Sequence, residues 1–216
     1  MMEQGSPEWF AARLGRVTAS RVADIMAKTK TGPSTSRTNY AAQLVAERLT
    51  GTVEPSFSNA SMAWGTEKEP EARSAYCFLH DTDVLQIGFV EHPNIGMAGA
   101  SPDGLIGDVG LVEIKCPNTA THIATLLGGS VPSKYVHQMQ WQMACTGRAW
   151  CDFASYDPRL PESMRLFVKR LHRDDAMIAE VEREVALFLN EVAQTVATLR
   201  SQYDPTAEPL NILQAG

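Results

Sequence analysis

The chain is short of several things, and each shortage excludes a class of protein. Its four cysteines, Cys77, Cys116, Cys145 and Cys151, show no Cys-x-x-Cys spacing and no paired histidines. Neither a zinc cage nor a thioredoxin-type motif is indicated, and buried, reduced thiols are the simpler reading. Five histidines, at 80, 92, 122, 137 and 172, lack ligand spacing and an accompanying nucleophile motif. No run of 18 apolar residues occurs, which argues against a membrane span. The opening Met1-Met2-Glu3-Gln4-Gly5 has neither the basic nor the apolar part of a secretory signal, so a cytoplasmic protein is expected. No internal repeat or low-complexity tract stands out. Aromatic residues make up 7%, and Trp9, Trp64, Trp141 and Trp150 read more readily as core than as base-stacking platforms. Basic charge is scarce as well: 19 Lys and Arg against 25 Asp and Glu give a net charge of -6. Taken alone, that sum argues against nucleic-acid binding.

What is present fits one folded domain over residues 1–216, with 44% hydrophobic residues and 20% charged. The charge is unevenly spread. Through Thr50 seven basic residues face four acidic ones, so this stretch carries +3, and the remainder, twelve against twenty-one, carries -9. The positive stretch is a candidate patch for a polyanion, although a charge run is more often a solvated face.

Periodicity divides the chain into a helical N-terminal part at about 7–60, a core at about 61–172, a C-terminal helix at about 174–199 and a loose tail at 201–216. Thr18 or Ser20 is positioned to cap a helix through about Ala27, and a second helix starts near Ser36 or Thr38 and stops before Gly51. Between them, Thr29 to Thr35 reads as a mobile loop. A helix over Ser61 to Phe78 follows, then strands at Val84 to Glu91, Met97 to Ser101 and Leu111 to Lys115. Helical pattern returns from Pro117 to about Cys145, followed by strands at Ala149 to Tyr156 and Met164 to Leu171. Ile178, Val181, Val185, Phe188, Val192, Val196 and Leu199 form one apolar stripe behind Asp174 and Asp175. The expected class is α/β, a mixed central sheet flanked by helices.

The stretch that carries chemistry is Ser101-Pro102-Asp103-Gly104 followed by Glu113-Ile114-Lys115, ten residues after the aspartate. Side chains alternate along a strand, so Glu113 and Lys115 project from one face about 6.6 Å apart. Val112 and Ile114 then point to the apolar side. Two carboxylates and a backbone carbonyl make the oxygen-rich set that Mg²⁺ prefers, with positions left for water and phosphate oxygens. A lysine beside them can orient or help deprotonate the attacking water and stabilise charge growing on a phosphorane-like transition state. Separately, Pro-Asp-Gly is a common turn and Glu-x-Lys a common edge pair. Together they form the pattern of the PD-(D/E)xK nucleases.

Further blocks narrow the likeness: Leu14-Gly15-Arg16-Val17-Thr18-Ala19-Ser20, Ala63-Trp64-Gly65 with Glu69, Cys116-Pro117, Tyr135-Val136-His137-Gln138-Met139-Gln140 and Tyr156-Asp157-Pro158-Arg159. In this order the chain resembles the lambda exonuclease family of YqaJ-like viral recombinases from about Trp9 to Arg159. The resemblance implies a restriction-endonuclease-like PD-(D/E)xK core in which Asp103, Glu113 and the Ile114 carbonyl hold Mg²⁺. Two ions are expected, and Mn²⁺ is an expected substitute. Lys115 would be the catalytic lysine, Glu69 a further acid near the second metal, and Gln138, with Tyr135 one turn before it, the glutamine that helps hold the site. Gln138, Gln140 and Gln142 also read as a plain polar helix face.

The same resemblance puts Arg13, Ser20 and Ser101 at a terminal 5′-phosphate, although an ion pair with Glu8 is the other reading of Arg13. Lys30, with Lys28 and Arg37, would touch DNA, and Met62 would stand where the family carries a wedge into the duplex end. The implied protein is a processive 5′→3′ exonuclease of double-stranded DNA ends that yields 5′-mononucleotides and a 3′ overhang. It would work as a homotrimeric ring in a bacterial host cytoplasm, with a single-strand annealing protein as partner. Another PD-(D/E)xK nuclease, RecB-like or an endonuclease, and a non-catalytic DNA-end-binding module are the alternatives.

Overall fold

A computed structural model describes residues 2–30, 32–53 and 60–204, the side chains of 60–62 excepted. Helix α1 (Pro7–Arg13) starts on Ser6, whose hydroxyl accepts the Trp9 N–H, and Pro7 sits where a missing N–H costs nothing. Strand β1 (Val17–Thr18) runs into a 3₁₀ turn (Ala19–Arg21) and the short helix α2 (Val22–Met26). Neither Thr18 nor Ser20 caps that helix: Thr18 lies in the strand, with its N–H donating to the Tyr40 hydroxyl at 3.1 Å. The stretch read as a loop holds a hairpin, β2 (Lys28–Thr29) with β3 (Gly32–Pro33). Ser34 caps α3 (Thr35–Thr50), which ends at Gly51 with φ of 68° as its composition anticipates. Helix α4 spans Ala60–His80.

Pairing over Val84 to Glu91 is confined to a bridge at Leu85 and the two-residue β4 (Val90–Glu91). Next come β5 (Ala98–Ala100), β6 (Gly104–Ile106) and β7 (Gly110–Lys115). The helical stretch after Pro117 is two helices, α5 (Thr119–Gly128) and α6 (Ser133–Thr146), because Gly129 ends the first in the left-handed region. The chain then forms β8 (Trp150–Tyr156), β9 (Leu166–His172) and α7 (Asp175–Tyr203). Asp174 caps α7, which runs through 201–203 of the expected tail. Residues 205–216 lie outside the described set.

The strands are divided between two main sheets. Four of them lie in the order β6-β7-β8-β9, with β7 and β8 parallel and both outer pairs antiparallel, and β1-β5-β4 form a smaller sheet. Alternation along β7 works as composition requires. Val112 and Ile114 pack with Ala72 and Tyr76 of α4, whereas Leu111 packs with Met139 and Met143 of α6. Glu113 and Lys115 share the face of Leu111 and therefore look toward α6. A third core joins α2, α3, α7 and the small sheet. The stripe on α7 fills it: Val181, Val185, Phe188, Val192 and Val196 are buried there, and Phe188 stacks on Tyr40. Each such side chain contributes about 2 kcal/mol on burial.

Polar ties hold the sheet to its helices. Asp157, fully buried, accepts from Arg159 Nε at 2.7 Å and from the Arg159 N–H at 3.0 Å. Arg159 also reaches the Pro117 carbonyl and lies 4.4 Å from the Trp64 ring centroid. Three of the sequence blocks, at 64, 117 and 157–159, thus meet in one place. Asp152 of β8 is held by Arg170 of β9 and by the Tyr76 hydroxyl of α4.

Candidate active site

The β6–β7 hairpin creates the site by ending early. Its pairing runs from Ile106 opposite Gly110 to Gly104 opposite Val112 and goes no further. Beyond it the Ile114 N–H on the open side has no strand carbonyl to meet, and Asp103 Oδ2 accepts it at 2.7 Å. The N–H and C=O of one strand residue leave on the same side, so the Ile114 carbonyl also faces the Asp103 edge. Gly104 is required by the close approach of the segment before it. A Cβ there would come within 2.0 Å of Val84 Cγ1.

Glu113, 1% exposed, is a buried carboxylate surrounded by donors. Gln138 Nε2 reaches Oε1 and Gln142 Nε2 reaches Oε2, each at 2.6 Å, and Lys115 Nζ forms an ion pair with Oε1. Lys115 also lies 5.3 Å from the ring centroid of Tyr135, which stacks on Phe153. The plain polar-face reading of the glutamines gives way to two partners: Gln138 and Gln142 share Glu113, whereas Gln140 turns away and donates to the His172 carbonyl.

Desolvation, and then the Glu113 carboxylate, push Asp103 well above the usual carboxylate range. Burial works against the Lys115 charge, but Glu113 and Asp103 outweigh it and hold the ammonium above its ordinary value. Glu69, on α4, acts on the same group. It adds to the upward push on Asp103, and with burial and Asp103 it drives the Cys116 thiol up to about 12. Glu69 itself pairs with Arg73 one turn along α4.

Two carboxylates with an adjacent carbonyl are a donor set suited to Mg²⁺, which commonly uses one or two carboxylates and completes its shell with water and substrate phosphates. Among the described residues, no three His, Cys, Asp or Glu side chains form a cage sufficient by itself.

A separate cavity of about 380 Å³ is lined by Arg13, Arg16, Ser20 and Arg21 together with Glu47 and apolar side chains such as Phe10 and Leu44. Arg13 does not pair with Glu8. Its Nη1 donates to Ser101 Oγ at 3.2 Å and its guanidinium lies 3.9 Å from the Trp9 ring centroid. Trp9 Nε1 donates to the same Ser101 oxygen at 2.9 Å. With two donors already on it, the Ser101 hydroxyl has its own proton to give. Ser101 is two residues before Asp103, so the hydroxyl held by Arg13 and Trp9 lies on the segment that leads to the carboxylate. The Leu14-to-Ser20 block shapes the rim: Gly15, at φ of 66°, donates to Glu47 Oε2 and accepts from Arg48 Nε.

Other expected contact residues fall elsewhere. Lys30 is exposed in the turn of the β2–β3 hairpin. Its neighbours are turned onto α7, with Lys28 pairing with Glu184 and Arg37 gripping Glu191 through both terminal nitrogens. The acids of the distal helix thus neutralise part of the positive N-terminal stretch. The side chain of Met62 lies outside the described residues. Trp9, expected in the core, and Gln142, expected on a polar helix face, instead contact Ser101 and Glu113. The spacing of Gln138 and Gln142, four apart on one helix, is the signal that could have found the second.

The model of the YqaJ-like viral recombinase domain matches residues 8–149. No curated protein sequence matches the chain. Among solved structures, the alkaline exonuclease LHK-Exo from Laribacter hongkongensis is 55% identical, with a TM-score of 0.86 over 91% of this chain and 97% of that one. LHK-Exo in complex with dAMP matches equally well. A phage-related exonuclease from Haemophilus somnus 129PT shares the fold at 14% identity, with a TM-score of 0.69 over 85% of this chain and 96% of that one. The expected PD-(D/E)xK-type mixed α/β architecture therefore stands. With the matched model covering well over half its length and a solved structure 55% identical over 91% of it, the chain belongs to the YqaJ-like viral recombinase family.

Proposed function

We propose that this protein is a Mg²⁺-dependent exonuclease that degrades duplex DNA processively, 5′→3′, from a 5′-phosphorylated end. The products are 5′-mononucleotides and a 3′ single-stranded overhang. The observation that carries this reading is the convergence of Asp103, Glu113 and Lys115 at the open end of one hairpin, in a chain 55% identical to an alkaline exonuclease.

Asp103, Glu113 and the Ile114 carbonyl hold Mg²⁺, with Glu69 close to a second ion and Mn²⁺ able to substitute. Bound there, the metal supplies Lewis acidity toward the scissile phosphate and lowers the pKa of water. Lys115, paired with Glu113, orients or helps deprotonate the attacking water and stabilises the charge that grows on the phosphoryl oxygens. Gln138 and Tyr135 keep Glu113 and Lys115 in place. Arg13, Ser101 and Ser20 receive the terminal phosphate, for which charge-assisted donors are suited. Lys30 and Met62 remain assigned to DNA contact by resemblance alone.

A homotrimeric ring that encloses the duplex, a single-strand annealing partner and a bacterial host cytoplasm complete the reading. Among the described residues no helix is long and apolar enough to cross a membrane. The decisive experiment incubates end-labelled linear duplex with Mg²⁺ and compares 5′-phosphate, 5′-hydroxyl and closed circular substrates. Mononucleotides released from the phosphorylated 5′ strand alone are expected. Prompt cleavage of closed circles, or activity undiminished by chelator, would overturn the proposal.

A further inference from the structure

The buried Glu113 carboxylate receives a donor that has been given no function so far. Gln142 is 0% exposed, one turn after Gln138 on α6, and its Nε2 holds Glu113 Oε2. Its own Oε1 lies 3.9 Å from the Cys151 Sγ, within reach of a weak S–H donor. The two ends of the amide are therefore sorted. A carboxylate can only accept and a thiol at this place donates, so the amide nitrogen faces Glu113 and its oxygen faces Cys151. Cys151 projects from β8 opposite Leu111 and is itself 0% exposed. Burial, together with Glu113 and Asp103, keeps its thiol protonated.

We infer that Gln142, oriented by Cys151, is a positioning residue that sets the affinity of the site for Mg²⁺ by fixing the Oε2 end of Glu113. The inference rests on the proposed role of Glu113 as a metal ligand. A carboxylate offers about four lone-pair directions. Gln138 and Lys115 take those of Oε1, and Gln142 takes one on Oε2, which leaves a single direction on Oε2 for a cation. Without Gln142 nothing fixes the plane of the carboxylate at that end, and the remaining direction is no longer aimed. Partners that orient a metal ligand commonly change metal affinity by about 10- to 100-fold.

The test titrates Mg²⁺ calorimetrically into the metal-free full chain and also records the Mg²⁺ concentration giving half-maximal hydrolysis of linear duplex. Wild type is compared with Gln142→Met, Cys151→Ala, Cys151→Ser and Glu113→Gln. Gln142→Met is expected to raise the Mg²⁺ Kd about tenfold and to raise the Mg²⁺ concentration for half-maximal hydrolysis by a similar factor. Cys151→Ala should weaken binding in the same direction, and Cys151→Ser, which keeps a donor, should restore it. Wild-type Mg²⁺ affinity in Gln142→Met, with binding lost in Glu113→Gln, overturns the role of Gln142 and leaves Glu113 as the ligand. Wild-type affinity in Glu113→Gln overturns the ligand reading itself. Should Gln142→Met fail to fold, the Cys151 pair decides: equal Kd in Cys151→Ala, Cys151→Ser and wild type overturns the inference.

Discussion

Asp103 and Ile114 close the active-site hairpin through a side chain, the Asp103 carboxylate standing where a strand carbonyl would otherwise accept the Ile114 N–H. The aspartate therefore has a structural part and a chemical part, and substitution can separate them. Asn at 103 can still accept that N–H through its Oδ1 but carries no charge. Asp103→Asn should lose activity by about a thousandfold or more, equivalent to about 4 kcal/mol of transition-state stabilisation. Its melting temperature should stay within about 3 °C of wild type. Asp103→Ala should lose the activity and about 1 kcal/mol of stability as well. Near-wild-type turnover by Asp103→Asn in Mg²⁺ would remove the carboxylate from the proposed chemistry.

The cavity around Arg13 supports a second, independent prediction. Arg13 is held from two sides by Trp9 and Ser101, so its guanidinium is preorganised before any ligand arrives. A charge-assisted bond is worth about 1.5 to 3 kcal/mol, so Arg13→Ala should erase a preference of about 10- to 100-fold for phosphorylated over hydroxyl 5′ ends. Trp9→Phe keeps the ring but loses the bond to Ser101 and should reduce that preference only partly. Competition between the two labelled ends in one reaction measures it, and an unchanged ratio in Arg13→Ala would rule out the assignment.

Which parts of this site sequence can reveal follows from the range of the interactions involved. Glu113 and Lys115 fall on one face by strand alternation, and the gap after Asp103 is the length of a hairpin, so these neighbours are legible from spacing. The apolar stripe of α7 is legible for the same local reason. Contacts between distant segments leave no such mark. Trp9 reaches Ser101 across 92 positions, and Arg37 reaches Glu191 across 154. The split of the helical stretch at Gly129 and the hairpin at Lys28–Thr29 were each obscured by a few residues whose composition suits either turn or loop. Glutamine at 138, 140 and 142 illustrates the limit: the same residue type serves Glu113, the His172 carbonyl and Glu113 again, according to helix phase and what lies opposite.

Those long-range pairs alter what the positive N-terminal stretch is expected to do. Lys28 and Arg37 are engaged with Glu184 and Glu191 of α7. If they stay engaged when DNA binds, they neutralise no phosphates. Lys28→Ala should then leave the slope of log K against log salt for duplex binding unchanged, whereas each lost phosphate contact would lower it by about 0.9. The exposed pair itself contributes about 1 kcal/mol or less, so stability should hardly move. A slope reduced by a full contact in Lys28→Ala would return this lysine to the DNA interface.

Asp157 links stability to pH. Burial alone would raise its pKa, but bonds from Arg159, from Thr119 and from the Arg159 N–H outweigh it and hold the carboxyl below its usual value. A group depressed in this way contributes stability that is present above its unfolded pKa of about 3.9 and is lost as pH falls through the folded one. Asp157→Asn should therefore destabilise the protein by about 2 kcal/mol at neutral pH. The difference from wild type should shrink as the pH falls from neutral through the lowered folded-state pKa, where the wild-type carboxylate also gains its proton. Urea unfolding at neutral and acid pH reads this directly, with the two chains compared at each. Because Arg159 also ties Pro117 and Trp64 to the end of β8, the variant should lose melting cooperativity around α4 before the α7 core is affected. A stability gap that stays constant from neutral to acid pH would mean that the charge of Asp157 contributes nothing, and that only the shape of the turn matters.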